Sequence, residues 1–160
     1  MEKKRVLMTL VLYHDSKNSR ILLGQHKRGP GKGKWNGFGG KVEDGETLTR
    51  SARRELFEEA NIIAGDMEKV GVLEFEDVNF KKEIWEVHFF RIMKIYGDPR
   101  ESEEMRPRWF GVDFIPYKEM WDDDKYWMPL FLEGKNFSGK FLFDTEGSMI
   151  SHEININKKL

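Results

Sequence analysis

The sequence predicts an α/β (α+β) fold, a sandwich of helices around a mixed β-sheet. Two observations lead there. Short apolar, β-rich runs recur along most of the chain, bounded by turn-forming Gly, Asn, Asp and Pro. Helical signatures are few and are interspersed among those runs, one ending near Asn61 and one over Lys125 to Leu132. Many strands with a few helices between them suit a layered sandwich.

The elements follow in order. Val6 to Tyr13 is an apolar strand, and Arg20 to Leu23 is a second, after the turn-forming segment His14 to Ser19. Gly29 to Gly33 is a glycine-rich loop before Trp35, and Phe38 to Glu43 is a short strand leading into the first helix. In that helix Leu48, Ala52, Leu56 and Ala60 form an apolar stripe, capped by Gly45-Glu46-Thr47 and closed near Asn61, a residue that tolerates the left-handed conformation. Val70 to Phe75 and Ile84 to Ile95 are strands flanking a turn at Asp77-Val78-Asn79. Arg106 to Val112 is a strand after the acidic segment Glu101 to Glu104. Asp122-Asp123-Asp124 precedes the short helix, and Phe137 to Phe143 and Met149 to Ile156 are the last strands.

With 160 residues, 39% apolar and 34% charged, the chain reads as a single domain over 1–160 with a full core. A net charge of −1 gives no electrostatic footprint for a nucleic-acid polymer or an anionic membrane. No cysteine is present, which removes disulfides, thiol nucleophiles and cysteine zinc sites. The N-terminal apolar run is strand-length, without a signal-peptide cleavage site, and no run approaches the ~20 apolar residues of a membrane span. These features imply a cytoplasmic protein, read here as a monomer.

The segment 40–62, GKVEDGETLTRSARRELFEEANI, carries the chemistry. Glu55, Glu58 and Glu59 are spaced i, i+3, i+4, which places them on one helical face within about one turn. Like charges so placed destabilise a helix by a few tenths of a kcal/mol per pair, so something positive must offset them. A hard divalent cation does so, since it takes oxygen ligands and retains waters or substrate phosphates. The apolar stripe lies about 90° around the helix from these glutamates, so one face can enter a core while the other lines a cleft. An ordinary solvated acidic face is the alternative, but it does not account for the ordered spacing of Gly40, Glu46, Arg54 and Glu55.

This segment resembles the Nudix hydrolase signature: Gly40, Glu46, Arg54, Glu55, Leu56, Glu58, Glu59 and Ile62 match, and Asn61 stands where the family has glycine. The resemblance implies an α-β-α sandwich around a mixed sheet, with the motif as a loop-helix-loop. It also implies a Mg²⁺ cofactor, with Mn²⁺ as an alternative, held by Glu55, Glu58, Glu59, Glu104 and the Gly40 carbonyl. The catalytic base is one of those four glutamates. Glu46 and Arg54 are better read as a structural ion pair.

Further stretches, Lys27-Arg28-Gly29, Trp35 to Val42, Glu101 to Phe110 and Met120 to Leu130, are similar to the MutT-like branch that cleaves oxidised purine nucleoside triphosphates such as 8-oxo-dGTP or 2-oxo-dATP. That similarity implies a small-molecule triphosphate substrate, Asn36, Asp123 and Asp124 as readers of the purine edge, and Trp121 as the stacking residue. Phe75 is a second pocket wall and Trp127 stands close by. The chemistry agrees: a guanine edge offers donors to carboxylates, an amide reads a mixed edge, and two adjacent buried aspartates hold one proton between them. A helix cap is the competing reading of the aspartates, and Trp35 is either core or pocket. His26 is placed near triphosphate or base. Pro30 and Trp85 replace a phenylalanine and a methionine of the vertebrate enzymes, which implies a reshaped pocket. The alternatives are a Nudix hydrolase of another nucleoside diphosphate-linked compound and a non-catalytic nucleotide-binding module.

Overall fold

The computed structural model describes residues 2–78 and 82–157. In chain order the elements are β1 (Lys4–Asp15), β2 (Arg20–His26), β3 (Trp35–Asn36), β4 (Phe38–Lys41), α1 (Leu48–Ala60), β5 (Ile63–Ala64), β6 (Met67–Asp77), β7 (Glu83–Ile92), β8 (Ile95–Tyr96), β9 (Met105–Gly111), α2 (Asp124–Leu132), β10 (Asn136–Phe143) and β11 (Met149–Asn157). Among the described residues nine strands form one sheet, in the order β11-β10-β6-β7-β1-β2-β3, with β4 also on β1 and β9 on β2. The sheet is mixed. β1 runs parallel to β7, and β10 parallel to β6. The other pairings in it are antiparallel. β5 and β8 make a separate two-stranded ribbon.

Alternation along the strands separates two apolar layers. Val11 and Leu22 join one cluster, which α1 covers with Ala52, Leu56 and Ala60. Leu12, Ile21 and Leu23 join the other, which α2 covers with Trp127, Met128 and Phe131. The expected α-β-α sandwich is therefore present, and its two helices stand on opposite faces of β1 and β2.

Helix α1 starts and stops as its sequence suggests. The Thr47 hydroxyl accepts the Arg50 N–H at 3.1 Å, and Asn61 closes the helix in the left-handed region at φ 58°. Elsewhere the bounds differ. His14 and Asp15 extend β1, and the turn is a 3-10 turn over 16–18 closed by Ser19 at φ 50°. Asp77 ends β6; of the expected turn, Asn79 lies outside the described residues. The expected strand Ile84 to Ile95 is two strands. β7 stops at Ile92 because its partner β6 begins at Met67, directly opposite; beyond that point the chain finds a new partner in β5. Trp35 and Asn36 also form a strand of their own on β2.

Candidate active site

The site is built at the corner where β4 meets α1. Gly39 and Gly40 pair with Leu10 and Thr9 of β1. A Cβ on Gly39 would lie 1.8 Å from the Thr9 carbonyl, and one on Gly40 would lie 2.7 Å from Glu55 Oε1. Gly39 thus leaves no room for a side chain against the central strand, and a side chain at Gly40 would displace the Glu55 carboxylate.

Arg54 organises the glutamates. Its guanidinium donates to Glu46 at 2.7 and 3.0 Å, to Glu55 Oε1 at 2.9 Å, to Glu58 Oε2 at 3.3 Å and to the Lys41 carbonyl at 3.3 Å. The expected Glu46–Arg54 ion pair is therefore the centre of a larger cluster. It holds the Glu46 carboxyl down at about 2. Part of the positive charge that the glutamate face requires is thus supplied by its own helix.

Glu59 and Glu55 sit deeper. Glu59 accepts the Gly39 N–H at 2.8 Å, yet burial, with Glu55, Glu104 and Glu58 nearby, pushes it up to about 8. Burial also raises Glu55, against the opposing effect of Arg54. Glu58 and Glu104 are largely exposed. Across from α1, Arg28 donates to Glu104 Oε1 at 3.1 Å. Arg28, Glu58, Glu59, Ser102, Glu103 and Glu104 line a cleft of about 300 Å³.

These residues suit a hard divalent cation by their chemistry. The donors are all carboxylate oxygens, and the buried Glu59 has a single hydrogen bond for a group that accepts several. As the side chains stand, no three acidic or imidazole groups among the described residues are grouped to share one ion. Arg54 and Arg28 hold Glu55, Glu58 and Glu104 instead.

Glu59 makes stability depend on pH in a defined direction. Its folded value of about 8 lies above the unfolded value, about 4.3. Between the two the folded chain binds the extra proton, so its carboxyl contributes a penalty that is absent below the unfolded value, grows as pH rises and is complete above about 8. In chelator, the melting temperature of the wild type should fall from about pH 5 to about pH 8 more steeply than that of Glu59→Gln. Parallel curves for the two proteins would contradict this assignment.

The expected base-reading aspartates lie around the start of α2. Asp123 and Asp124 are both buried. Asp123 Oδ2 accepts the Trp127 indole N–H at 2.8 Å, and Asp124 Oδ2 accepts the Trp121 backbone N–H at 3.1 Å. Burial pushes Asp123 up to about 6; burial and the adjacent Asp123 push Asp124 well above the carboxylate range. Asp124 is therefore the more strongly shifted of the two towards its neutral form. Asp123 occupies the cap position of α2 without making a side-chain cap bond.

The glycine-rich loop that precedes Asn36 packs against Trp121. Lys34 places its ammonium 5.0 Å from the Trp121 ring centre, and a Cβ on Gly31 would lie 3.0 Å from the same ring. Two residues after Lys34, the Asn36 Oδ1 accepts the Gly37 N–H at 2.8 Å, which turns the amide's oxygen to its own backbone. Phe75 stacks on Phe141 at 5.5 Å between ring centres and pairs in register with Trp85. Trp127 departs from expectation. It is fully buried against Phe89 and Phe137, so it supports Asp123 from the core and offers no surface to a ligand. Trp35 is likewise core, edge-on to Phe110 at 4.8 Å. Burial lowers His26 from the usual histidine value. Arg28 and Lys34 carry no spacing signal of their own, and sequence reasoning assigned neither a role.

The mixed sheet between two helices, with glutamates on one helix facing a glycine-rich corner, defines a Nudix-type protein. A MutT protein from Bacillus halodurans has the same fold, at a TM-score of 0.78 with 24% identity, covering 94% of this chain and 97% of that one. The NUDIX domain model matches residues 3–131, and the chain belongs to the Nudix family. Two relatives, each named oxidized purine nucleoside triphosphate hydrolase, come from Danio rerio and Mus musculus. Each is 47% identical over 148 residues, covering 92% of this chain and 93% of its own length.

Proposed function

We propose that this protein is a Mg²⁺-dependent nucleotide-pool sanitation hydrolase, which cleaves oxidised purine nucleoside triphosphates to the monophosphate and pyrophosphate. The observation that carries the reading is the buried pair Asp123–Asp124 beside Trp121, in a chain whose Glu58 and Glu59 line a separate cleft. The two relatives bear the name of this activity.

The chain's own groups divide the work. An ionised Asp123 accepts a hydrogen bond from a purine N–H, and a protonated Asp124 donates one to a ring oxygen or nitrogen. Asn36 adds its amide N–H groups, and Trp121 stacks on the base, a contact of ~1–3 kcal/mol. Glu55, Glu58, Glu59 and Glu104, with the Gly40 carbonyl, would hold the cation. Once bound, Mg²⁺ would supply charge neutralisation at the phosphates and activation of the attacking water. As Glu59 stands, its carboxyl is mainly neutral at pH 7, so it serves as base only after losing that proton. Arg54 keeps Glu55 and Glu58 oriented towards one another's side of the helix. Monomeric action in the cytoplasm completes the proposal, and no helix among the described residues is long and apolar enough to cross a membrane.

The test is pyrophosphate release from 8-oxo-dGTP, 2-oxo-dATP, dGTP, dATP and dCTP at one low concentration, with and without Mg²⁺. The oxidised purines should be cleaved fastest and only with the metal. Equal rates on dCTP, or preference for a nucleotide sugar or dinucleotide, would refute the base assignment.

A further inference from the structure

Arg28 has no role in the reaction as described so far, yet it lines the cleft. Its backbone is anchored. The Lys27 N–H donates to the Glu104 carbonyl at 2.8 Å, and the Lys27 ammonium is held by Glu101 and by the Ser102 carbonyl at 2.8 Å. Lys27 is thereby committed to the opposite loop. The Arg28 side chain is not: it is 60% exposed, its bond to Glu104 is at 3.1 Å with Glu104 equally exposed, and Glu103 lies at 3.8 Å. Exposed pairs of this kind are weak and exchange readily.

Among the described residues lining the cleft, Arg28 is the one cation. The other guanidinium at the site, Arg54, is only 22% exposed and is occupied by Glu46, Glu55, Glu58 and the Lys41 carbonyl. A polyphosphate entering this cleft meets the carboxylates of Glu58, Glu103 and Glu104, which repel it. A guanidinium fork matches phosphate oxygens in geometry and charge. The carboxylate that now occupies Arg28 is Glu104, a candidate ligand for the cation, and one oxygen cannot serve both partners fully.

We propose that Arg28 is an exchangeable counter-ion: it pairs with Glu104, and when a divalent cation draws Glu104 away it transfers to the anionic tail of the triphosphate. The cation and the substrate's tail would then bind cooperatively, because each relieves a cost for the other. This rests on the reading of the cleft as a metal and polyphosphate site; it does not depend on which base is bound.

The experiment therefore uses no nucleoside. Mg²⁺ alone is titrated calorimetrically into metal-free wild type, Arg28→Gln, Glu104→Gln and the double variant. Freeing Glu104 from an exposed pair should tighten Mg²⁺ binding by about two- to fivefold in Arg28→Gln, and Arg28→Gln should add no gain on the Glu104→Gln background. The same gain on both backgrounds would mean a general charge effect and would overturn the exchange. Inorganic tripolyphosphate is then titrated in saturating Mg²⁺. Arg28→Gln should bind it about tenfold more weakly, with Arg28→Lys recovering only part. Wild-type affinity for tripolyphosphate in Arg28→Gln would equally overturn the proposal. A failure of the purine panel, by contrast, would leave both titrations unchanged.

Discussion

Glu58→Gln should lower kcat by on the order of 10²-fold or more while leaving the fold intact. The side chain is 57% exposed and lies on the cleft face of α1, away from the Ala52, Leu56 and Ala60 stripe that anchors the helix. Among the described residues it pairs with Arg54 at 3.3 Å, an i, i+4 ion pair of the kind that contributes only about 0.3–0.5 kcal/mol. Loss of that pair is too small to unfold the protein. Removal of an anionic oxygen ligand is different in kind, because the charge developing on the phosphates would then be less fully neutralised. Circular dichroism and the melting temperature in chelator should match wild type, while steady-state kinetics in saturating Mg²⁺ show the loss. Turnover near wild type would remove Glu58 from the metal site.

Asp123→Asn should reduce kcat/KM for 8-oxo-dGTP by roughly 10- to 100-fold and leave dCTP as poor a substrate as before. The structure sharpens the reason. Asp123 is buried, accepts the Trp127 indole N–H and adjoins Asp124, whose carboxyl burial pushes towards the neutral form. An amide of the same size keeps one acceptor and turns the other position into a donor. A purine donor meeting that amide would be left unsatisfied, at ~1–3 kcal/mol. The helix-cap alternative makes the opposite forecast, a stability loss of about 1 kcal/mol with substrate ratios preserved. Since Asp123 makes no cap bond, the melting temperature should hold or rise as a buried charge is removed. An unchanged purine-to-pyrimidine ratio would refute base reading by this residue.

Helix α1 was legible because everything that specifies it is local. The Leu48, Ala52, Leu56, Ala60 stripe, the Thr47 cap and the left-handed Asn61 all lie within one segment. The glutamate face follows from the same periodicity. What stayed hidden depends on partners distant in sequence. Arg28 meets Glu104 across 76 positions, a contact made only when β2 and β9 align. Trp127 looked like a pocket aromatic by position, but Phe89 of β7 and Phe137 of β10 enclose it. The break between β7 and β8 depends on where the neighbouring strand β6 begins, 25 positions earlier in the chain, at Met67 opposite Ile92. Arg54's reach to Glu55 and Glu58 is a matter of side-chain rotamer, which spacing alone does not decide.

The central position of β1 has a consequence for how the chain is made. β1 leaves the ribosome well before its parallel neighbour β7, which begins about 80 residues later, with Lys4 opposite Glu83. At synthesis rates of ~5–20 residues per second, that is a wait of about 4 to 16 s. During it Val6 to Tyr13, an apolar run destined for the middle of the sheet, can pair on one side only, with β2 and β4. Its other hydrogen-bonding edge stays open, which is the condition under which nascent strands associate with the wrong partner. Productive folding of this protein is thus gated by the arrival of β7, and any slowing of translation between β1 and β7 lengthens its exposure to aggregation.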